Sequence, residues 1–219
     1  MDELFVAEAK LDGAHTSPDI SGLIGQYAHG NEPSHHIIYF YTLAGEPSKA
    51  ADRVRDVYRM MYSDQPDGLS GNEDVGAMSS WYVLSSLGFY QVNPADGRYV
   101  FGSPNVDKAV LNVRDGKFTI IAHNNSKDNK YIQSIKLNGQ PYNKAWIEFE
   151  DIAKGGTLEY EMGATPACWY WSFNWYLIVI QSEAKNLGNI YCFIYVDVYE
   201  ILPPFGRLND IFFIPLSRN

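Results

Sequence analysis

Cysteine is scarce in this chain of 219 residues: Cys168 and Cys192 are the only two, and both lie beyond Pro166. Two isolated cysteines make no disulfide framework, and a zinc site would need more ligands nearby. Positive charge is short as well, with 17 Lys and Arg against 26 Asp and Glu and a formal net charge of −9. Such a surface has no basic face to neutralise phosphates, which excludes a nucleic-acid partner. There is no uninterrupted apolar run of about eighteen residues, so no membrane span is expected. The opening Met1-Asp2-Glu3-Leu4-Phe5 has neither a basic n-region nor a long apolar h-region, so no signal peptide is visible. Aromatic residues are plentiful at 15%, with sixteen tyrosines. Their faces suit sugar stacking and a plain core equally, so the count decides little.

The length accommodates one large domain or two small ones with a sizeable core. Residues 1–18 read as irregular, and Asp19–Gly30 as a glycine-rich loop threaded into a core. Pro33 suits a first helical position, where its missing N–H is an orphan anyway. An apolar helix is expected over Ser34–Leu43, ended by Gly45-Glu46-Pro47, with Ser48 capping the next. In that next helix Val54, Val57, Tyr58 and Met61 follow i, i+3, i+4, i+7 spacing, leaving Asp52, Arg53, Asp56 and Arg59 outside. After a turn at Asp64–Gly68, a third helix is expected to start at Asp74 or Val75 and stop at Gly88.

From residue 98 the pattern becomes short β-type runs: Tyr99–Gly102, Ala109–Val113, Phe118–Ala122, Ile132–Leu137, Trp146–Phe149 and Leu158–Met162. Turn signals such as Asp115-Gly116, Asn138-Gly139 and Gly155-Gly156 separate them. The expected class is α+β, with helices over 1–97 followed by a small antiparallel β layer over 98–166. Residues 167–219 form an atypical apolar tail. Its apolar stretch Cys168–Ile180 is too short for a span, which needs about 20 residues, and its periodicity is neither helical nor alternating. The expectation is non-native or out-of-frame sequence.

Two clusters carry chemistry. One is His29-Gly30-Asn31-Glu32-Pro33-Ser34-His35-His36; the other is Gly71-Asn72-Glu73-Asp74-Val75-Gly76-Ala77-Met78-Ser79-Ser80-Trp81. Two helix starts that both carry carboxylates with amides or imidazoles look like one polyhydroxylated-ligand site, read twice. A carboxylate on Asp74 at a helix N-terminus is favoured in its ionised form, and can act as a general base or accept from sugar hydroxyls. Equally, Asn72 or Asp74 can be a plain N-cap. Glu73 is expected to face solvent. Glu32 can complement a helix dipole or serve as a hard oxygen ligand for Ca²⁺. His29, His35 and His36 lack the H-E-x-x-H order, and neighbours on a helix project about 100° apart, so they read as core or ligand-binding side chains rather than zinc ligands. Asn124-Asn125-Ser126 matches a glycosylation sequon, a pattern that arises often by chance. Physical chemistry stops at a polar site between paired helix ends and names no substrate.

Three phrases take the reading further: DISGLIGQYAHGNEPSHH (19–36), YSDQPDGLSGNEDVGAMSSWYVLSSLGFYQV (62–92) and YVFGSP (99–104). They resemble the carboxy-terminal catalytic segment of the glycoside hydrolase family 92 α-mannosidases, and the likeness continues more loosely to Pro166. The resemblance implies a Ca²⁺-dependent, inverting, exo-acting mannosidase on mannose-containing glycans, with a β-sandwich before an (α/α)₆ barrel. Residues 1–97 would be part of that barrel. By the same match Asp74 is the general base, Glu32, His35 and Asn72 belong to the substrate site, and Asn31 and Glu32 to the metal. Asn72 stands where many members carry a second acidic residue, and Ala77 where glutamine is common. The family's general acid belongs to an upstream Glu-Gly-Asn-Ala-Trp motif that this chain does not contain.

The expectation is therefore a fragment with a base and no acid, inactive alone, whose partner is the missing N-terminal part of the same enzyme. The alternatives are a non-catalytic carbohydrate-binding or interaction remnant, and a chain whose uncovered helix faces prevent stable folding. Family members are typically periplasmic or extracellular; this chain's own compartment is not legible.

Overall fold

Helices are concentrated before residue 88 and strands after it among the described residues, in a computed structural model that describes residues 1–9 and 20–170. A short helix, α1 (Asp2–Val6), replaces the expected irregular start; Phe5 stacks on Tyr27 at 5.1 Å. The expected glycine-rich loop contains a two-residue hairpin, β1 (Leu23–Ile24) with β2 (Tyr27–Ala28).

The apolar stretch expected as one helix is broken. It forms 3₁₀ turns at Glu32–Ser34 and Ile37–Tyr39 before the brief α2 (Phe40–Leu43). The bonds close over three residues, His35 N–H to the Glu32 carbonyl and Tyr39 N–H to that of His36, as 3₁₀ geometry requires.

The long helix α3 (Pro47–Met61) follows its periodicity. Val54 and Val57 are fully buried, with Tyr58 and Met61 nearly so. Pro47, not Ser48, opens it, since proline loses nothing at a first helical position. The Ser48 hydroxyl instead bonds the Ala167 backbone, donating to its carbonyl at 3.2 Å and accepting from its N–H at 3.1 Å.

Helix α4 (Ala77–Ser86) starts later than expected, because Asp74, Val75 and Gly76 all have left-handed φ, at 48°, 55° and 88°. It ends as expected at Gly88, whose φ of 97° is a conformation glycine adopts without penalty. A Cβ there would lie 2.8 Å from the Tyr160 hydroxyl, so the same glycine also permits a close approach.

Strands β3 (Phe89–Asn93) and β4 (Arg98–Phe101) follow, then β5 (Lys108–Val113), β6 (Gly116–His123), β7 (Tyr131–Leu137), β8 (Gln140–Pro141) and β9 (Trp146–Glu148). Helix α5 (Phe149–Ala153) and β10 (Gly156–Gly163) complete the order. β3, β4 and β9 form one antiparallel sheet; the other runs β5-β6-β10-β7-β8. The expected purely antiparallel layer is corrected here: β10 is parallel to β6 and antiparallel to β7. From β8 the chain leaves for the first sheet and α5, then returns between β6 and β7, and such a crossover is what a parallel pair needs. The 97/98 boundary falls in the turn of the β3–β4 hairpin, so the helical and strand segments share a sheet.

Two cores result. One gathers Tyr27, Tyr39, Val54, Val57 and Trp81 under the helices. The other gathers Phe101, Phe118, Ile120, Ile132, Leu158 and Tyr160 against the sheets. The start of the expected atypical tail docks on this body: Trp169 packs edge-on to Phe101 at 6.3 Å, and the Tyr170 hydroxyl donates to the Thr42 carbonyl. The rest of that tail, 171–219, lies outside the described residues, as does the second cysteine. Among the described residues no helix is long and apolar enough to cross a membrane.

Candidate active site

The two polar clusters meet. The contact is made through glycine: a Cβ on Gly71 would lie 2.6 Å from Ser21 Oγ and 3.6 Å from the Gly30 Cα. Behind it, the Trp81 indole of α4 stands edge-on to the His29 ring at 4.4 Å, and its Nε1–H donates to the His35 carbonyl at 3.1 Å. The indole is entirely buried.

At the front of this junction the Glu32 and Asp74 carboxyls are in hydrogen-bonding contact. Glu32 opens the first 3₁₀ turn and Asp74 sits in the left-handed turn before α4. The Glu32 backbone N–H, the Asp74 carboxyl and nearby His35 hold the Glu32 carboxyl below its ordinary pKa. Two carboxyls in contact titrate as a pair rather than independently.

His35 turns inward. It is 2% exposed, and its Nε2–H donates to the His29 carbonyl at 2.9 Å. Burial lowers its pKa despite the His29 carbonyl and Glu32, which both act to raise it. Asn72 is exposed on the loop before Asp74, and Asn31 is half-buried directly before Glu32 without capping the turn it precedes. Glu73, expected in solvent, folds over the start of α4, accepting from Ser79 N–H at 2.8 Å and Ser79 Oγ at 2.7 Å. It satisfies an orphan donor of the first turn, a task that Asp74 and Asn72 were both candidates for.

Two aromatic residues within the 62–92 phrase that were not named as candidates pack near the junction. Tyr90 of β3 stacks on Tyr39 at 5.4 Å; burial and then the charge of Glu32 raise its hydroxyl pKa. Tyr62 stacks parallel to Trp81 at 6.0 Å and meets Tyr82 at 4.8 Å. The rhythm of aromatic residues was the available signal, and it does not distinguish a sugar platform from a core.

For a metal, the donors at the junction are oxygens: the Glu32 and Asp74 carboxyls and the Asn31 amide. That set is the kind a hard cation prefers, though Ca²⁺ takes about 6–8 oxygens in all. Among the described residues no group of three or more His, Cys, Asp or Glu gathers as a metal cluster.

Comparison with known proteins gives the family. A model of the glycosyl hydrolase family 92 catalytic domain matches residues 1–164. A family GH92 α-mannosidase from Bacteroides thetaiotaomicron, solved in complex with mannoimidazole, is similar at 39% identity and a TM-score of 0.70 over 76% of this chain and 22% of its own. A family GH92 inverting mannosidase from the same species gives 38% identity and a TM-score of 0.61 over 65% of this chain and 19% of its own. A protein described as an uncharacterized secreted glycosidase from Arthroderma benhamiae is 34% identical over 144 residues, 64% of this chain and 19% of its own length. The chain thus spans about a fifth of the relatives it matches.

Proposed function

The chain belongs to glycosyl hydrolase family 92 through the catalytic domain it matches, and from that premise we propose that it carries the base-bearing half of an inverting exo-α-mannosidase site. Asp74 takes a proton from a water whose oxygen attacks the anomeric carbon opposite the glycosidic oxygen. The C–O bond breaks, a carboxylic acid protonates the departing oxygen, and mannose leaves with inverted configuration. The observation behind this division is the contact between Glu32 and Asp74. An inverting glycosidase holds its acid and base about 6.5–9.5 Å apart to admit the water. Two carboxyls in contact are therefore one functional unit and not an acid–base pair.

The acid comes, on this reading, from the part of the enzyme that corresponds to the remaining length of the relatives. Helices α2–α4 would then be part of an (α/α)₆ barrel. Phe40, Leu43, Met60 and Val83 stand 37–56% exposed on them, apolar surface of the kind neighbouring helices cover. Asn31 and Glu32 would hold a Ca²⁺ that binds sugar hydroxyls and favours ring distortion. Asn72 and Tyr90 would face the mannose, while His35 supports Glu32 from behind.

The test uses two substrates with the 219-residue chain. α-Mannosyl fluoride, whose leaving group needs no protonation, is expected to be hydrolysed, with a loss of about 10²–10⁴-fold in Asp74→Ala. α-1,2-Mannobiose is expected to persist. Turnover of mannobiose that disappears in Asp74→Ala would place the acid within this chain and overturn the division.

A further inference from the structure

Behind the paired carboxylates runs a partly buried chain of hydrogen bonds, in which the bond from Tyr62 to a carbonyl sets the direction of the others. The Tyr62 hydroxyl donates its one proton to the Met78 carbonyl at 3.0 Å, since a carbonyl can only accept. Its contact with His29 Nε2, at 2.8 Å, must then be an N–H donated by the histidine. His29 is fully buried, and its two ring nitrogens meet the hydroxyls of Tyr27 and Tyr62 rather than a carboxylate, so the ring is neutral and Nδ1 is bare. Nδ1 accepts from the Tyr27 hydroxyl at 2.9 Å. The order is Tyr27 to His29 to Tyr62 to Met78, with one tautomer compatible.

The ends of this chain matter. Met78 lies in the first turn of α4, and its N–H returns to the Glu73 carbonyl at 3.2 Å, while Ala77 N–H bonds the Asp74 carbonyl at 3.0 Å. These bonds close the left-handed turn that presents Asp74. The His29 carbonyl accepts from His35 Nε2–H, and the His35 carbonyl accepts from Trp81. His35 in turn closes the turn that starts at Glu32, its N–H bonding the Glu32 carbonyl at 3.0 Å. One residue is thus tied by its ring to the Asp74 turn and by its backbone to the Glu32 turn.

We infer that His29 is a positioning residue for the paired carboxylates, fixed as the neutral Nε2–H tautomer and setting the spacing between their two turns. The bearing on catalysis rests on the mannosidase reading above; the relay itself does not. It touches no substrate and acts only through Tyr62 and His35. A histidine suits the task because its two ring nitrogens accept and donate on opposite sides of a rigid plane, and the relay needs one of each.

The test compares the 219-residue chain with Tyr62→Phe, which keeps the ring stacked on Trp81 and removes the link, and Tyr27→Phe, which frees Nδ1. Three readouts are taken: the His29 tautomer by long-range ¹⁵N–¹H NMR, amide exchange over 74–79, and kcat and KM on α-mannosyl fluoride. The wild type is expected to show Nε2–H alone. Tyr62→Phe is expected to speed exchange over 74–79 by about tenfold or more and to lower kcat by a similar factor with KM unchanged. Tyr27→Phe is expected to admit the second tautomer. An Nδ1–H or cationic His29 in the wild type overturns the inference, as does unchanged exchange in Tyr62→Phe. Wild-type protein that leaves the fluoride intact counts against the mannosidase reading, and tautomer and exchange then decide the relay alone.

Discussion

The two cores are built on different terms. The helical core is aromatic and threaded with polar atoms: His29, His35, Thr42 and Ser85 are buried within it, and Tyr39 donates to Ser85 Oγ at 2.6 Å. The sheet core is chiefly aliphatic, drawing on Ile120, Ile132, Ile135, Ile147 and Leu158, and a hydroxyl enters it where Tyr160 meets the Leu87 carbonyl at 3.2 Å. An aliphatic core requires only that shapes fit. A polar core admits few alternatives, because each buried donor or acceptor left without a partner costs about 1–3 kcal/mol. The half that presents the carboxylates is organised for placement, and the half without them for cohesion.

The largest test of that contrast is Trp81→Ala, expected to cost about 3–5 kcal/mol in urea unfolding, against about 0.5–1.5 kcal/mol for Ile120→Val in the sheet core. Equal losses would mean that Trp81 is ordinary filling. Acid comes next. The unfolded His29 takes up a proton near its ordinary value of 6.5, whereas the folded residue resists until about 3. The unfolded state therefore binds more protons in that window, and stability falls as pH drops through it, by roughly 1.4 kcal/mol per pH unit. His35, also depressed by burial, steepens the fall. Urea midpoints at pH 7, 6, 5 and 4 measure it; a flat profile would deny that the buried imidazoles are neutral.

A smaller effect, about 1–2 kcal/mol, is expected for Tyr39→Phe, which strands the buried Ser85 hydroxyl. A loss below about 0.5 kcal/mol would show that the helical core tolerates unpaired groups after all. Smallest is Val75→Gly. A β-branched residue with φ of 55° is strained, and Val75 is fully exposed with no packing to compensate. Release is worth about 1–2 kcal/mol and the freer unfolded glycine returns about 0.5–1, so the melting temperature should rise slightly. A fall would mean that Val75 is held by contacts the fold does not show.

What was legible in the sequence was what is local. Val54, Val57, Tyr58 and Met61 announce the buried face of α3, and the runs around Phe118, Ile135 and Leu158 announce strands. Even the meeting of the two polar clusters followed from their likeness. What failed was decided by distant neighbours. Cap preferences put a helix start at Asp74, but that residue is held in a left-handed turn facing Glu32, while Glu73 reaches forward to Ser79. Tyr62 and Tyr90 read only as aromatic residues, because what sets them apart are His29 and Glu32, distant from them along the chain. The parallel pairing of β10 was illegible for the same reason: nothing within Gly156–Gly163 tells which strands will flank it.

The place of β10 also governs the order of events at the ribosome. Among the described strands it is the central one of its sheet and the last of that sheet to emerge. Until it arrives, β6 and β7 have no strand between them, and each shows an open edge to other nascent chains. Sheet closure must wait for the end of the matched domain, since long-range pairing is slow and leaves such edges at risk of aggregation. A ribosome that stalls before Gly156 would release a helical site region with no finished sheet behind it, a natural client for chaperones.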